Sequence, residues 1–448
     1  MTEGLTKSTT VAPRGVRQIL QTYTPADGFD PIIALEKSHG SWIVDARDGR
    51  EYLDLFTMFA SMPVGYNHPR LLEATDRLAT AAVNKPTNSD IYCTQLAEFV
   101  ETFFEVAIRG FFKYGFFIEG GALGVENALK SAFDWKVKKN LAKDGKAADI
   151  GSKVIHFEEC FHGRTGYTLS LTNTADPRKT AYFPKFDWPR IVNPKITFPL
   201  NEENSERVRL LEERALDQIK SVIHEHGEDI ASMIIEPIQA EGGDNHFRGE
   251  FLDSLRTICD ENDIMLVFDE VQTGMGITGK MWAWEHFEVV PDLMCFGKKS
   301  QVCGFVSTAR IDDIGDNVFK ESSRINSTWG GNLTDMVRST LYLEIMRDED
   351  LLDAASTRGE YLLAELRSLQ ADFPESVSNV RGRGLMCAFD LPRGTARDRA
   401  LQLILEDGAF ILGSGKKSIR FRPPLNISRN EIDLGMEIIR KTVDLIQN

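Results

Sequence analysis

The chain has 448 residues, 42% of them hydrophobic and 27% charged, which is enough to build more than one large core. Its 52 Lys and Arg against 67 Asp and Glu leave a formal charge of −15, and so exclude the basic surface that a nucleic-acid binder needs. Six scattered cysteines with no CxxC pair speak against a disulfide scaffold and a metal site, and no apolar run approaches the ~18 residues of a membrane span.

In chain order, Met1 to Ser8 carries no apolar leader, so the expected location is cytoplasmic. Residues 1–40, with Pro13, Pro25 and Pro31, suit an arm laid across another part of the molecule. Ser41–Asp45 and Glu51–Phe56 bracket the Asp48-Gly49 turn and predict a hairpin. Helical periodicity follows at Leu71–Leu78 and Gln95–Phe104. From about residue 115, apolar runs (Lys153–Phe157, Ile230–Glu236, Ile264–Asp269, Leu293–Gly297) alternate with amphipathic stretches such as Glu203–His226 and Glu250–Glu261. This alternation predicts an α/β fold with a mostly parallel sheet and helices on both faces. A long helical segment, Asp335–Phe373, leads to a smaller α/β unit with strands at Gly384–Phe389 and Ser418–Phe421. The expected division is an N-terminal arm and part of a small domain (1–75), a large domain (76–335) and the C-terminal part of the small domain (336–448).

Ligands of an open parallel sheet gather at the carboxyl ends of its strands. Glu236, Asp269 and Lys298 each follow a predicted strand. A strand-end Asp commonly caps a helix and a Lys after Gly is commonly solvated, so none of them carries a function alone. Together they match what pyridoxal phosphate chemistry requires. Lys298 can form a Schiff base with the cofactor aldehyde, and Asp269 can keep the pyridine nitrogen protonated. The Glu119-Gly120-Gly121-Ala122 turn opens a helix whose amides can cradle a phosphate. Phe161 can cover the ring. Gly274-Met-Gly276-Ile-Thr-Gly279 matches a dinucleotide fingerprint, but the Asp269-Glu270 pair before it would repel a pyrophosphate.

With these residues in place, the sequence resembles the class III pyridoxal-phosphate aminotransferases of fold type I from about residue 35 to the C-terminus. The motifs are Phe268-Asp-Glu-Val-Gln-Thr-Gly274, Ile235-Glu-Pro-Ile-Gln-Ala-Glu-Gly-Gly243 and Arg420-Phe-Arg-Pro-Pro-Leu425. Asn84–Asp90, Thr168–Thr174, Phe183–Arg190, Phe296–Gly304 and Asn326–Asn332 resemble the L-lysine 6-aminotransferase branch. Two departures from the wider family, Ile277 and the Lys299-Ser-Gln-Val-Cys303 run, point to the same branch.

The resemblance implies pyridoxal 5'-phosphate as cofactor, with Lys298 as its covalent anchor and the general base. Asp269 would pair with the pyridine nitrogen, Gln272 would bond the ring hydroxyl, and Gly121 and Ala122 would bind the phosphate. Asn326 and Thr328 would reach the phosphate region of a second subunit, so that a homodimer shares its active sites. Arg420 would take the α-carboxylate of glutamate or 2-oxoglutarate, and Arg164 the γ-carboxylate or the carboxylate of L-lysine. Glu241 would pair with Arg420 while L-lysine is bound and swing away for the dicarboxylate, because an unpaired buried guanidinium is costly. Arg422 is expected to point away from Arg420 by strand alternation, His162 to be structural, and Phe186 and Trp188 to line the entrance. The implied reaction transfers the ε-amino group of L-lysine to 2-oxoglutarate. The alternatives are ornithine or 4-aminobutyrate as donor, an aminomutase on the same fold, and, from another class, the nicotinamide dehydrogenase or a non-catalytic binding protein.

Overall fold

The computed structural model describes residues 11–144 and 150–447; Met1 to Ser8, expected to carry no apolar leader, lies outside them. Seven strands form the main sheet: β1 (Tyr114–Ile118), β2 (Lys153–Phe157), β3 (Arg190–Ile191), β4 (Ile230–Ile235), β5 (Met265–Asp269), β6 (Leu293–Phe296) and β7 (Cys303–Ser307). Their order is β1-β7-β6-β5-β4-β2-β3. β7 pairs antiparallel with both neighbours, and the other pairings are parallel. β4, β5 and β6 are buried along their whole length, which is why they read as unbroken apolar runs.

The helix Gly121–Asp144 covers one face. Val125, Leu129, Ala132 and Trp135 form one stripe, fully buried against Val154, Ile234, Val267 and Phe305 of the sheet. On the other face, Gly249–Glu261 buries Phe251, Leu252, Leu255 and Cys259.

The hairpin Trp42–Val44 with Glu51–Asp54 is antiparallel, and Ala409–Phe410 joins it in parallel, with Leu53 opposite Ala409. The two ends of the chain therefore share a sheet. A four-stranded antiparallel sheet (Ser378–Arg383, Met386–Asp390, Ser418–Arg420, Leu412–Ser414) lies beside it in sequence. The segment read as one helix over 335–373 is two, Leu333–Asp348 and Leu351–Asp372, broken at Asp350, whose φ is +50°.

After the hairpin, Thr57, Met58, Phe59 and Ala60 all take left-handed backbone (φ from +43° to +67°). Such a turn costs L-residues roughly 1–2 kcal/mol each. Tertiary bonds hold it: Thr57 N–H donates to Asp54 Oδ1 (2.7 Å) and Thr57 Oγ1 to the Arg422 carbonyl (2.6 Å). The turn delivers Ser61 to the cavity described next.

Among the described residues no helix is long and apolar enough to cross a membrane, and no His, Cys, Asp and Glu cluster could hold a metal ion. All six cysteines carry free thiols.

Candidate active site

A cavity of about 530 Å³ opens at the carboxyl ends of β4, β5 and β6 and is walled by Gly120, Gly121, Ala122, Phe161, Asp269, Gln272 and Lys298 among others. Gly120 (φ +103°) turns the chain from β1 into the helix. The first bonds of that helix, from Leu123 and Gly124 N–H, both go to the Gly120 carbonyl (3.1 Å each). That leaves Gly121 and Ala122 N–H without acceptors among the described residues, as helix starts do. A Cβ on Gly121 would come within 2.9 Å of Val271, and one on Gly163 within 2.5 Å of Ala122. Both positions are therefore packed too closely to take a side chain.

Lys298 is half-buried, lines the cavity and makes no hydrogen bond through Nζ to any described residue. Burial, with Arg420 nearby, lowers its pKa to about 8, so the amine sheds its proton more readily than an ordinary lysine. Lys299 turns the other way. It is 2% exposed, and its Nζ donates to the Gln272 carbonyl (2.8 Å).

Asp269 ends β5, where Oδ1 accepts from Val271 N–H (3.0 Å) and Oδ2 contacts His162 Nδ1 (2.8 Å). Burial alone would strip the proton from His162. The adjoining Cys160 sulfur and the Asp269 carboxylate overcome this and raise it well above the usual histidine range. Its Nε2 is buried without a partner. His162 therefore acts through Asp269, steadying the carboxylate. Glu236, after β4, accepts from Phe161 N–H (2.9 Å) and Ala240 N–H (3.1 Å), and burial raises its carboxyl to about 7.

The arginines differ from expectation in one respect. Arg420 and Arg422 do not diverge; Arg420 Nη1 (3.1 Å) and Arg422 Nε (3.2 Å) both donate to Gln272 Oε1. The strand ends at Arg420, so alternation does not extend to Arg422. Its charge is taken by Asp244, at 2.6 and 2.9 Å, with both side chains 1% exposed. Arg420 adjoins the cavity through Gln272, which lines it. Its Nε is buried without a partner, and burial together with Arg422 lowers its pKa to about 10.

Glu241 lines the cavity but is not paired with Arg420. Its Oε1 accepts from Lys179 Nζ (2.5 Å) and Thr174 Oγ1 (2.8 Å), and Oε2 has no partner. Arg164 is exposed, with its guanidinium 5.8 Å from the Phe161 ring centre. Asn326 and Thr328 are exposed and line no part of their own chain's cavity. Phe186 and Trp188 are not among the residues that line the cavity either. They stack on each other at 5.0 Å and pack with Tyr167.

Sequence reasoning missed Ser61, Val271, Gln301 and Cys303 in the wall. Gln301 bridges the left-handed turn to the lysine, donating to the Ser61 (2.6 Å) and Lys298 (3.1 Å) carbonyls. Its φ of +61° has no glycine to announce it. The dinucleotide-like glycines are packing positions. A Cβ on Gly274 would strike Trp282 at 2.4 Å, and Glu270 spends its oxygens on Thr273 Oγ1 and on Ala283 and Trp284 N–H.

A free amine, a fixed carboxylate and a pair of unpaired amides at a helix start fit a phosphorylated aromatic aldehyde. The model of the family described as aminotransferase class-III matches residues 23–443. The L-lysine-epsilon aminotransferase of Mycobacterium tuberculosis is 48% identical over 437 residues, covering 97% of this chain and 96% of that protein. That of Streptomyces clavuligerus is 46% identical over 435 residues, covering 96% and 94%. The solved structure of lysine aminotransferase from M. tuberculosis matches with a TM-score of 0.95 at 48% identity, covering 97% of this chain and 100% of that one.

Proposed function

This chain belongs to the class III aminotransferases, and we propose that within them it is an L-lysine 6-transaminase, which moves the ε-amino group to 2-oxoglutarate. The products are L-glutamate and 2-aminoadipate 6-semialdehyde, which cyclises to piperideine-6-carboxylate. The observation that carries the lysine reading is near-full-length identity of 46–48% to enzymes named for that substrate. The fold is that of the type I pyridoxal-phosphate enzymes, and the cofactor is pyridoxal 5'-phosphate.

Bound here, the cofactor supplies a carbonyl that takes up an amino group and a ring that accepts electrons when a C–H bond breaks. Lys298 anchors it through the free amine and, with its depressed pKa, takes and returns the proton at the reacting carbon. Asp269, held by Val271 N–H and His162, would pair with the ring nitrogen. The Gly121 and Ala122 amides would hold the phosphate, Phe161 would cover the ring, and Gln272, which accepts from Arg420, would bond the hydroxyl. Arg164 anchors the carboxylate remote from the chemistry. Glu241 exchanges between its present position and Arg420, so that one pocket accepts both a long cationic chain and a dicarboxylate.

Asn326 and Thr328 complete the phosphate site of a second copy, making the unit a homodimer. Both are exposed, and so is the adjoining apolar Trp329, which supports that reading. We also propose the division into 1–75, 76–335 and 336–448, and a cytoplasmic location.

The test is the absorbance of the cofactor-loaded protein. It should change on adding L-lysine and revert on adding 2-oxoglutarate. A response to ornithine or 4-aminobutyrate with none to L-lysine overturns the substrate and keeps the family.

A further inference from the structure

We propose that Lys179, outside the cavity wall, is a positioning residue that parks Glu241 away from Arg420 and thereby sets the affinity of the pocket for dicarboxylates. The inference rests on the proposed exchange of Glu241 between its two positions.

The backbone of Glu241 is not free to move. Its carbonyl accepts from Gly415 N–H (2.8 Å), a Cβ on Gly415 would lie 2.5 Å from the Gly242 carbonyl oxygen, and one on Gly242 would lie 2.0 Å from that of Glu159. The loop is clamped on both sides, so the exchange must be a rotation of the Glu241 side chain. Three charges then compete for two pairings. Arg420, with 5% of its surface exposed, has no solvent to fall back on. Lys179 retains 25% of its side-chain surface and can be hydrated when Glu241 leaves. Thus Arg420, bonded here to the Gln272 amide oxygen, gains more from a carboxylate, whether of Glu241 or of the substrate, than the partly hydrated Lys179 does, and Lys179 can give its partner up.

When a dicarboxylate claims Arg420, the displaced Glu241 is itself only 20% exposed. There Lys179 Nζ neutralises it and Thr174 Oγ1 donates a hydrogen bond. The lysine is placed for this by the single turn Pro177–Lys179, whose start is capped by Asp176 accepting from Arg178 N–H (3.1 Å). Without Lys179, Glu241 remains on Arg420 and an incoming dicarboxylate must displace it with only the uncharged Thr174 hydroxyl to receive it. L-Lysine needs Glu241 on Arg420, so removing Lys179 does not harm that substrate.

The experiment titrates glutarate, an unreactive five-carbon dicarboxylate, into cofactor-loaded enzyme by calorimetry and measures KM for L-lysine in parallel. Lys179→Met should weaken glutarate about fivefold, the size of a partly exposed ion pair, with KM for L-lysine unchanged or lower. Lys179→Arg should restore glutarate binding. In a Glu241→Gln background, Lys179→Met should have no further effect. Unchanged glutarate binding in Lys179→Met, an equal loss for both ligands, or a Lys179→Met effect that persists in Glu241→Gln would each overturn the role of Lys179. Failure of the exchange itself shows separately, as a Glu241→Gln variant whose KM for L-lysine does not rise.

Discussion

Two adjacent lysines end in opposite environments because Lys298 takes left-handed backbone (φ +52°) at the start of a one-turn helix. Its amine stays free in the cavity, while Lys299 folds back onto the Gln272 carbonyl. Lys298→Ala should therefore lower turnover by roughly 10²–10⁴-fold, the contribution of a positioned acid-base group, and abolish reductive trapping of the cofactor. Lys299→Ala should still be trapped on the peptide carrying Lys298. Mapping the trapped peptide in both variants decides between them. A second prediction concerns Glu236. Its folded pKa near 7 exceeds the usual carboxylate value because it is buried, so the folded chain keeps a proton that the unfolded chain releases. Stability from this group is full below about pH 4.5 and is lost as pH rises towards 7, by at most about 1.4 kcal/mol per pH unit. Glu236→Gln should flatten the decline of Tm between pH 5 and 7; an unaltered decline would place its origin elsewhere. At this scale the sequence reveals residue types at strand ends but not partners. Glu241 and Lys179 are 62 positions apart, and Arg422 meets Asp244 across 178, separations that no local pattern encodes.

Elements were legible where burial is symmetric. β4, β5 and β6 are apolar throughout because both faces are covered, and the helix after Gly120 is announced by its glycines. The break between Leu333–Asp348 and Leu351–Asp372 was not, since Asp350 reverses the backbone without Gly or Pro. The same holds for the left-handed turn Thr57–Ala60, whose geometry is imposed by Asp54 and the Arg422 carbonyl. The proposed phosphate cradle depends on how closely its helix approaches the sheet. Gly124 permits that approach, as a Cβ there would lie 2.8 Å from the Gly304 carbonyl oxygen of β7. Backbone cannot rotate aside as a side chain does, so Gly124→Ala must push the helix outward. Overpacking of this kind costs about 1–3 kcal/mol, against a gain of at most ~1 kcal/mol in helix propensity. The expected result is a lower Tm and a raised Kd for pyridoxal phosphate, read by thermal melts and cofactor titration. A higher Tm would mean that the helix yields without loss.

The whole molecule assembles its site from distant pieces. The large sheet provides Asp269 and Lys298, while the C-terminal segment provides Arg420 and Arg422. The Asp244–Arg422 pair, buried on both sides, joins the Gly242–Asp244 loop to that segment. Losing one partner of such a pair strands a charge, so the two parts are held in register by a bond that is costly to break. What one chain does not bring to its own cavity is Asn326 and Thr328. If they serve a neighbouring copy, two defective chains can repair each other. Lys298→Ala lacks the anchor, and Thr328→Asp sets a negative charge against the phosphate. Each alone should be inactive or nearly so. In a mixed dimer, one site joins the intact Lys298 of one chain to the intact Thr328 of the other, while the second site carries both defects. Random reassociation of equal amounts makes half the dimers mixed, each with one working site, so activity should recover to about one quarter of the unsubstituted level in a two-fold assembly. Recovery with the unsubstituted KM for L-lysine identifies sites shared between subunits. Activity that stays at the mean of the two parents after refolding together means that each chain completes its own site.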